Sequence, residues 1–173
     1  ARVRLDVQAR MRAAALDRSA RRKAQLERAG RIRAERAEKA QAALPGGPGA
    51  DLRGRDFRGA RLAFAVWNGV NLTEAQLDSA VLDKADLRQA TMDRANLMGV
   101  RLRDADLRHA RINEANLAGA RLRGALLTGA SAVGANLVDA DLRYVDLRGV
   151  DLTDANLSGA DLRSALMTGA KLV

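Results

Sequence analysis

One regularity governs this chain: from Leu52 to Leu172 every fifth residue is apolar, with no insertion or deletion in the run. The 25 positions hold Leu, except for Phe57, Trp67, Met92, Ile112, Ala132 and Met167. Two residues before each of them, from Ala50 to Ala170, stands Ala or Val, with Arg55 the single exception. In extended chain, residues two apart point to the same side, so each small residue and the apolar residue after it share one interior. A straight strand would lose the five-residue register, because its side chains alternate with a period of 2. The chain therefore turns a corner in every pentad. All 11 glycines downstream of Asp51 fall at one phase, two residues after the apolar position, from Gly54 to Gly169. A type II turn needs positive φ there, which glycine adopts without steric cost. Right-angle corners close a square after four pentads, although the spacing alone also allows three or five sides.

Segments such as ANLAGARLRGALLTGA and VDADLRYVDLRGVDLTDANLSGADLR resemble the pentapeptide-repeat family, whose pattern is A(D/N)LXX, over residues 50–173. The resemblance implies an all-β solenoid, a right-handed quadrilateral β-helix with the small residue and the Leu inside. Residues 51–173 then make about six coils, stacked roughly 4.7–4.9 Å apart. Leu97, Leu102, Leu107, Leu117, Leu122, Leu137 and Leu142 belong to the expected core. Arg55 interrupts the pattern in the first coil, which reads as a capping end covered by Phe57 and Trp67. Ala132 stands where Leu is expected and leaves a void unless its neighbours fill it.

The segment LPGGPGA, Leu44 to Ala50, holds both prolines of the chain; such punctuation ends a helix and opens a loop. Three parts follow: a basic Ala/Arg-rich helical arm over 1–44, a Pro/Gly linker over 45–50, and the β-helix over 51–173. The arm is rich in Ala, Arg, Glu and Gln, all good helix formers. Glu27–Arg31, Arg31–Glu35 and Glu35–Lys39 are spaced to pair along its surface, and Gly30 is a weak point between two halves. Its larger apolar residues form no heptad, so a coiled coil is not expected. Of the formal net charge of +9, residues 1–50 supply 13 basic against 5 acidic groups and residues 51–173 supply 17 against 16. The basicity thus belongs to the arm. Three roles for it stay open: packing on the first coil, meeting nucleic acid or another anionic partner, or docking a protein.

Four pentads per coil stack residues 20 apart, so each face can be read in turn. On the second face Asn96, Asn116, Asn136 and Asn156 form an amide ladder in which each bonds the one above and below, bordered by Met98, Ala118 and Val138. This nearly uncharged face, carried by Asn96, Met98, Asn116, Asn136, Val138 and Asn156, is a candidate flat contact. On the third face Arg103, Arg123, Arg143 and Arg163 recur at intervals of 20, flanked by Arg101 and Arg121. Asp141 and Asp161 neutralise Arg143 and Arg163, whereas Arg101, Arg103, Arg121 and Arg123 have only Asp83 and Asp104 nearby. Stacked like charges repel, so all six arginines are candidate partner-binding residues for an anionic surface; solvated arginines that keep a β surface soluble are the plain alternative. On the fourth face Asp86–Arg88, Asp106–Arg108 and Asp146–Arg148 neutralise themselves.

No catalytic constellation assembles. His109 is the only histidine and cysteine is absent, which excludes thiol dyads, cysteine zinc sites and a His-based triad of the usual kind. The run GARLRGALLTGASAVGA is glycine-rich, yet its glycines follow the five-residue period and lack the strand–loop–helix setting of a phosphate loop. No enzyme, metal or cofactor is expected. No apolar run approaches the roughly 20 residues that span a bilayer, and ARVRLDVQAR is no secretory signal. A cytoplasmic setting and no membrane association are expected.

The leading expectation is a non-enzymatic protein-binding scaffold or adaptor. Known members of the resembled family include bacterial proteins that bind DNA gyrase as acidic, DNA-like rods and confer quinolone resistance. The near-neutral repeat region argues against that role, because a duplex mimic must be strongly negative. Nucleic-acid binding through the arm and the arginine face is a further alternative. Similar repeats also accompany secretion-associated adaptors and effectors. The pattern stops mid-pentad at Lys171-Leu172-Val173; an open end coil invites self-association, a partner or further chain, and the chain reads as a possible fragment of a longer protein.

Overall fold

The computed structural model describes Gln25, Glu27, Arg28 and residues 46–172. The chain divides into two compact units, Ala1–Ala43 and Leu44–Val173. In the first, Gln25, Glu27 and Arg28 are helical and exposed. The remainder of the expected arm, with the pairs Glu27–Arg31, Arg31–Glu35 and Glu35–Lys39, lies outside the described residues.

In the second unit every pentad repeats one backbone plan. Leu97 N–H donates to Asn116 O at 2.7 Å, Gly99 N–H to Ala118 O at 2.9 Å, and Asn96 N–H to Ala75 O at 2.9 Å. Within the pentad, Val100 N–H closes a turn on Leu97 O at 3.1 Å. The third residue of that turn, Gly99, has φ 63°, so the corner is a type II turn. The extended stretch between corners is too short for a named strand, and the coils are joined by isolated parallel bridges. Those bridges settle the number of sides. Asp51 pairs with Asn71, Asn71 with Thr91, and the offset of 20 holds through Asp151 and Lys171. The chain thus returns to the same side after four pentads. Asp51, Asp56, Arg61 and Val66 begin the four bridge columns, called here the first to fourth faces.

The interior is a stack of Leu and Ala. Leu97, Leu102, Leu107 and Leu117 are fully buried, and Leu122, Leu137 and Leu142 are at most 4% exposed. Val70, Val100, Val145 and Val150 replace Ala at the small-residue position and are fully buried. The two aromatics that enter it lie near its start, where the Phe57 and Trp67 rings meet at 5.4 Å with a 54° tilt. Arg55, at the small-residue position, is exposed. Ala132 is buried, at 1% exposure, in the column of Ile112 and Leu152.

The corner imposes strain wherever glycine is absent. Tyr144, Phe64 and Asp104 occupy the positive-φ position at 59°, 65° and 54°, a conformation costing a non-glycine residue roughly 1–2 kcal/mol. Cooperative inter-coil bonding holds them there. From Ala155 onward, the interior residues Leu157, Leu162 and Met167 are only partly buried. The ladder also ends: Leu152 N–H still reaches Lys171 O at 2.9 Å. The corresponding N–H groups of Leu157, Leu162 and Met167 have no backbone acceptor among the described residues.

Candidate protein-interaction surface

The residue before each Leu does more than point outward. Its side-chain oxygen accepts the backbone N–H two residues on: Asn116 Oδ1 from Ala118 at 3.3 Å, Asp56 Oδ1 from Arg58 at 3.1 Å, Asp141 Oδ1 from Arg143 at 3.3 Å. This local bond is what an Asx turn supplies, and it explains why Asp and Asn dominate the position. Where Arg follows the Leu, its guanidinium folds back onto the same carboxylate as a bidentate pair. Arg58 Nε and Nη2 reach Asp56 at 3.0 and 2.7 Å, and Arg148 reaches Asp146 at 2.9 and 2.6 Å.

These pairs acidify their carboxylates. The Arg58 hydrogen bonds hold Asp56 at about 2 and those of Arg163 hold Asp161 at about 2. Asp146, only 8% exposed, is held well below the usual carboxylate range, chiefly by Arg148 and further by a bond from Thr128. Asp86 and Asp106 are lowered in the same way by Arg88 and Arg108. The fourth face is therefore self-neutralised, as its sequence suggests.

On the second face the amide ladder forms in part. Asn136 Nδ2 donates to Asn116 Oδ1 at 3.1 Å, Asn116 to Asn96 at 3.5 Å, and Asn96 to Gln76 Oε1 at 3.3 Å. The expected link from Asn156 is missing. Its Oδ1 takes the Ser158 N–H at 3.0 Å, and among the described residues no amide bond joins it to Asn136. Met98 is half exposed, while Ala118 and Val138 are partly covered. The outward residues of this face from Asn96 to Val138 carry no charge.

The third face separates into two halves, and here the sequence reading needs correction. Arg143 pairs with Asp141 at 2.7 Å and approaches Asp161 at 3.6 Å, and Arg163 pairs with Asp161 at 2.6 Å. Those two arginines are neutralised, as expected. Arg101 is not a free cation either. Its guanidinium is bonded to Asp83, from two positions further along the previous coil, and the same carboxylate accepts the Arg103 backbone N–H at 3.1 Å. Asp104, expected as a counter-charge, pairs with no arginine among the described residues; it leans over Gly124, where a Cβ would lie 2.5 Å from its Oδ1.

Arg103, Arg121 and Arg123 are left without a carboxylate partner among the described residues. Two more cations, missed by following arginine columns alone, also lack a carboxylate partner among the described residues: Arg61 heads the column of Arg101, and Lys84, at the positive-φ corner beside this face, stands 5.9 Å over the Phe64 ring. Elsewhere on the solenoid every arginine but Arg55 has its carboxylate among the described residues. Arg53, Arg58, Arg88, Arg94, Arg108, Arg111 and Arg148 all do. The structure also reveals a notch of about 470 Å³ among Arg103, Asp104, Arg123, Gly124, Arg143 and Tyr144. It exists because Gly124 leaves a gap between the larger corner residues on either side. Tyr144 is exposed, with the Arg123 guanidinium 5.2 Å from its ring centroid. No cluster of His, Asp and Glu among the described residues suits a metal ion. No helix among them is long and apolar enough to cross a membrane.

A family model of pentapeptide repeats matches residues 56–94, 90–129, 105–143 and 135–172, in 8 copies. The chain belongs to the pentapeptide repeat family. No curated protein sequence matches it. Among solved structures, it is similar to the pentapeptide repeat protein Rfr23 of the cyanobacterium Cyanothece 51142, at 24% identity and a TM-score of 0.49, covering 72% of this chain and 84% of that one. A pentapeptide repeat protein of the Arabidopsis thaliana thylakoid lumen matches at 26% identity and 0.47, over 66% and 75%. HetL of Nostoc sp. strain PCC 7120, involved in heterocyst differentiation regulation, matches at 21% and 0.34, over 79% and 95%. The family assignment itself rests on the repeat match along this pentapeptide-repeat chain.

Proposed function

We propose that this pentapeptide-repeat protein is a non-enzymatic scaffold or adaptor that binds another protein through the third face of its solenoid. In this reading residues 1–44 form a helical arm, 45–50 a linker, and 51–173 a right-handed quadrilateral β-helix of about six coils, in a cytoplasmic setting. The observation that carries the reading is the placement of unneutralised charge. Carboxylates cancel every arginine elsewhere on the solenoid except Arg55, whereas Arg103, Arg121 and Arg123 stand near one another without a carboxylate among the described residues. Surface pairs contribute little to stability, and clustered like charges oppose folding, so the exception is best explained by what it meets. Arg143 and Arg163, already engaged, border the contact and do not drive it.

Two other readings give way on charge. A gyrase-binding mimic of DNA needs a strongly negative surface, and residues 51–173 carry 17 basic against 16 acidic groups. Nucleic-acid binding through the arm finds no aromatic side chains there for stacking, since residues 1–50 hold no Phe, Trp or Tyr. The test is capture of partners from the source cell on the full chain, with and without Arg103→Glu, Arg121→Glu and Arg123→Glu together. Loss of one stoichiometric protein in the variant is expected. Identical captured proteins, or loss of only nuclease-sensitive material, would overturn the scaffold.

A further inference from the structure

The notch beside Tyr144 brings together charges that the rest of the solenoid keeps paired. Arg103, Asp104, Arg123, Gly124, Arg143 and Tyr144 line it. Arg103 and Arg123 share one column on adjacent coils, as the bridge Arg101↔Arg121 requires, and neither has a carboxylate among the described residues. Arg143, next in that column, is held by Asp141 at 2.7 Å. Asp104 in turn has no cation partner among the described residues. With Arg143 neutralised, two guanidinium groups stand against one carboxylate, and the notch keeps one positive charge. We infer that it binds the C-terminal residue of the partner protein. Arg103 and Arg123 hold the terminal carboxylate, Asp104 accepts the N–H of the same residue, and Tyr144 supports its side chain. This rests on the scaffold reading and names the part of the partner that is recognised.

Asp104 decides the chemistry. A Cβ at Gly124 would lie 2.5 Å from its Oδ1, so a group seated on Gly124 meets that oxygen directly. A phosphate group there would set two negative charges against a third at contact distance, where Coulomb repulsion is strongest. A continuous polyanion has the same fault. The group over Gly124 must instead be a donor, and the group on the arginines an acceptor with a single negative charge. In a C-terminal residue one carbon bears both, the amide N–H and the carboxylate. A glutamate side chain puts three carbons between them and holds the two in no fixed relation.

The arginines and the ring suit the same group. The Arg123 guanidinium stands over the Tyr144 ring, 5.2 Å from its centroid, and a guanidinium against a ring keeps its planar fork of donors for a carboxylate. Arg103, one coil away at roughly 4.7–4.9 Å, supplies a second charged donor. The exposed Tyr144 ring gives the last side chain an apolar footing. A leaning carboxylate is by itself no sign of a site. Asp139 leans over Gly159 in the same way, yet the outward residues beside that pair are Val138 and Ser158. Among the described residues, the leaning carboxylate and the free arginines coincide at Gly124.

The test is solution NMR on the isotope-labelled full chain, read at the notch itself so that the basic arm does not enter. Three peptide pools are titrated. The first is acetyl-Gly-Ser-Gly-Ala-Xaa with a free carboxylate, Xaa being Leu, Phe, Ser or Lys. The second is the same pool as C-terminal amides, and the third is acetyl-Gly-Ser-Glu-Ala-Xaa amides, which restore the charge inside the chain. The free-acid pool is expected to shift the Gly124 amide and the Arg103 and Arg123 side-chain N–H signals. Both amide pools should bind roughly tenfold more weakly, the scale of hydrogen bonds to a charged group. Variants are first shown to keep the wild-type circular dichroism and melting profile. R103Q/R123Q should weaken the free-acid pool roughly tenfold, and R53Q/R58Q, of equal net charge, less than about twofold. Asp104→Ser, a residue that the equivalent corner accepts at Ser164, should weaken it about threefold or more; a carboxylate that only stood in the way would make this variant bind more tightly. Equal binding of acid and amide pools, tighter binding by Asp104→Ser, equally tight binding of free leucine, or no shift at the notch would each overturn the inference. If the acid and amide pools bind alike while the triple Glu variant still loses its cellular partner, the scaffold stands and the C-terminal site falls. If the free-acid pool binds as described and no cellular protein is lost, the reverse holds.

Discussion

Asn116 condenses the logic of the repeat into one side chain. Its oxygen accepts the Ala118 N–H at 3.3 Å and the Asn136 amide at 3.1 Å, while its own amide donates to Asn96 at 3.5 Å. Asn116→Ala removes a turn bond and two ladder links from a partly buried position. A loss of about 1–2 kcal/mol in urea unfolding is expected, at the scale of one or two net hydrogen bonds. The corner residue is the second point of control. Gly119 has φ 65° and open space where a Cβ would stand, so Gly119→Ala isolates backbone strain from crowding. It should cost about 1 kcal/mol in the same measurement. The chain accepts Tyr144 and Asp104 at equivalent corners, which bounds the cost at a level one pentad can carry.

At the level of the coil, burial differs more than composition does. Leu117 is fully buried, whereas Leu162 in the end coil is only partly covered. Leu117→Ala should cost about 2–5 kcal/mol, the range for large-to-small core changes, and Leu162→Ala clearly less. Equal costs, read by thermal or chemical unfolding, would mean that the end coil is packed like the middle. The face is the other element of function. Which arginines are free is decided between coils: Arg101 reaches Asp83, and Arg111 reaches Asp93 at 2.7 Å, each across 18 residues of chain. A sequence read in columns of 20 shows neighbours above and below; it does not show which diagonal a side chain takes.

Across the whole solenoid, the paired carboxylates set its response to acid. Asp56 and Asp161 are held at about 2, below the ordinary 3.8, by Arg58 and Arg163. A folded-state value below the unfolded one means that the carboxylate stabilises the fold when ionised, fully above about pH 4 and progressively less as pH falls through about 2. Melting temperature should therefore be nearly flat from pH 7 to about 4 and decline from there towards pH 2, by circular dichroism. A decline centred near pH 6 would contradict this. Because each coil touches only its neighbours, stability is close to a sum over adjacent coils, and mutations on distant coils should add.

The five-residue period alone determined that the chain turns a corner per pentad, which side chains enter the interior, and where positive φ falls, because these follow from local stereochemistry repeated without a break. The family and the paired fourth face were legible for the same reason. The number of sides was open in the sequence and is set by the bridges from each residue to the one 20 further on. Tertiary structure alone decided that Arg101 is neutralised and Arg61 and Lys84 are not, that the ladder stops short of Asn156, and that Gly124 opens a notch beside Tyr144. Those outcomes depend on side-chain reach between stacked coils, and reach is a property of three-dimensional spacing that a linear repeat does not encode.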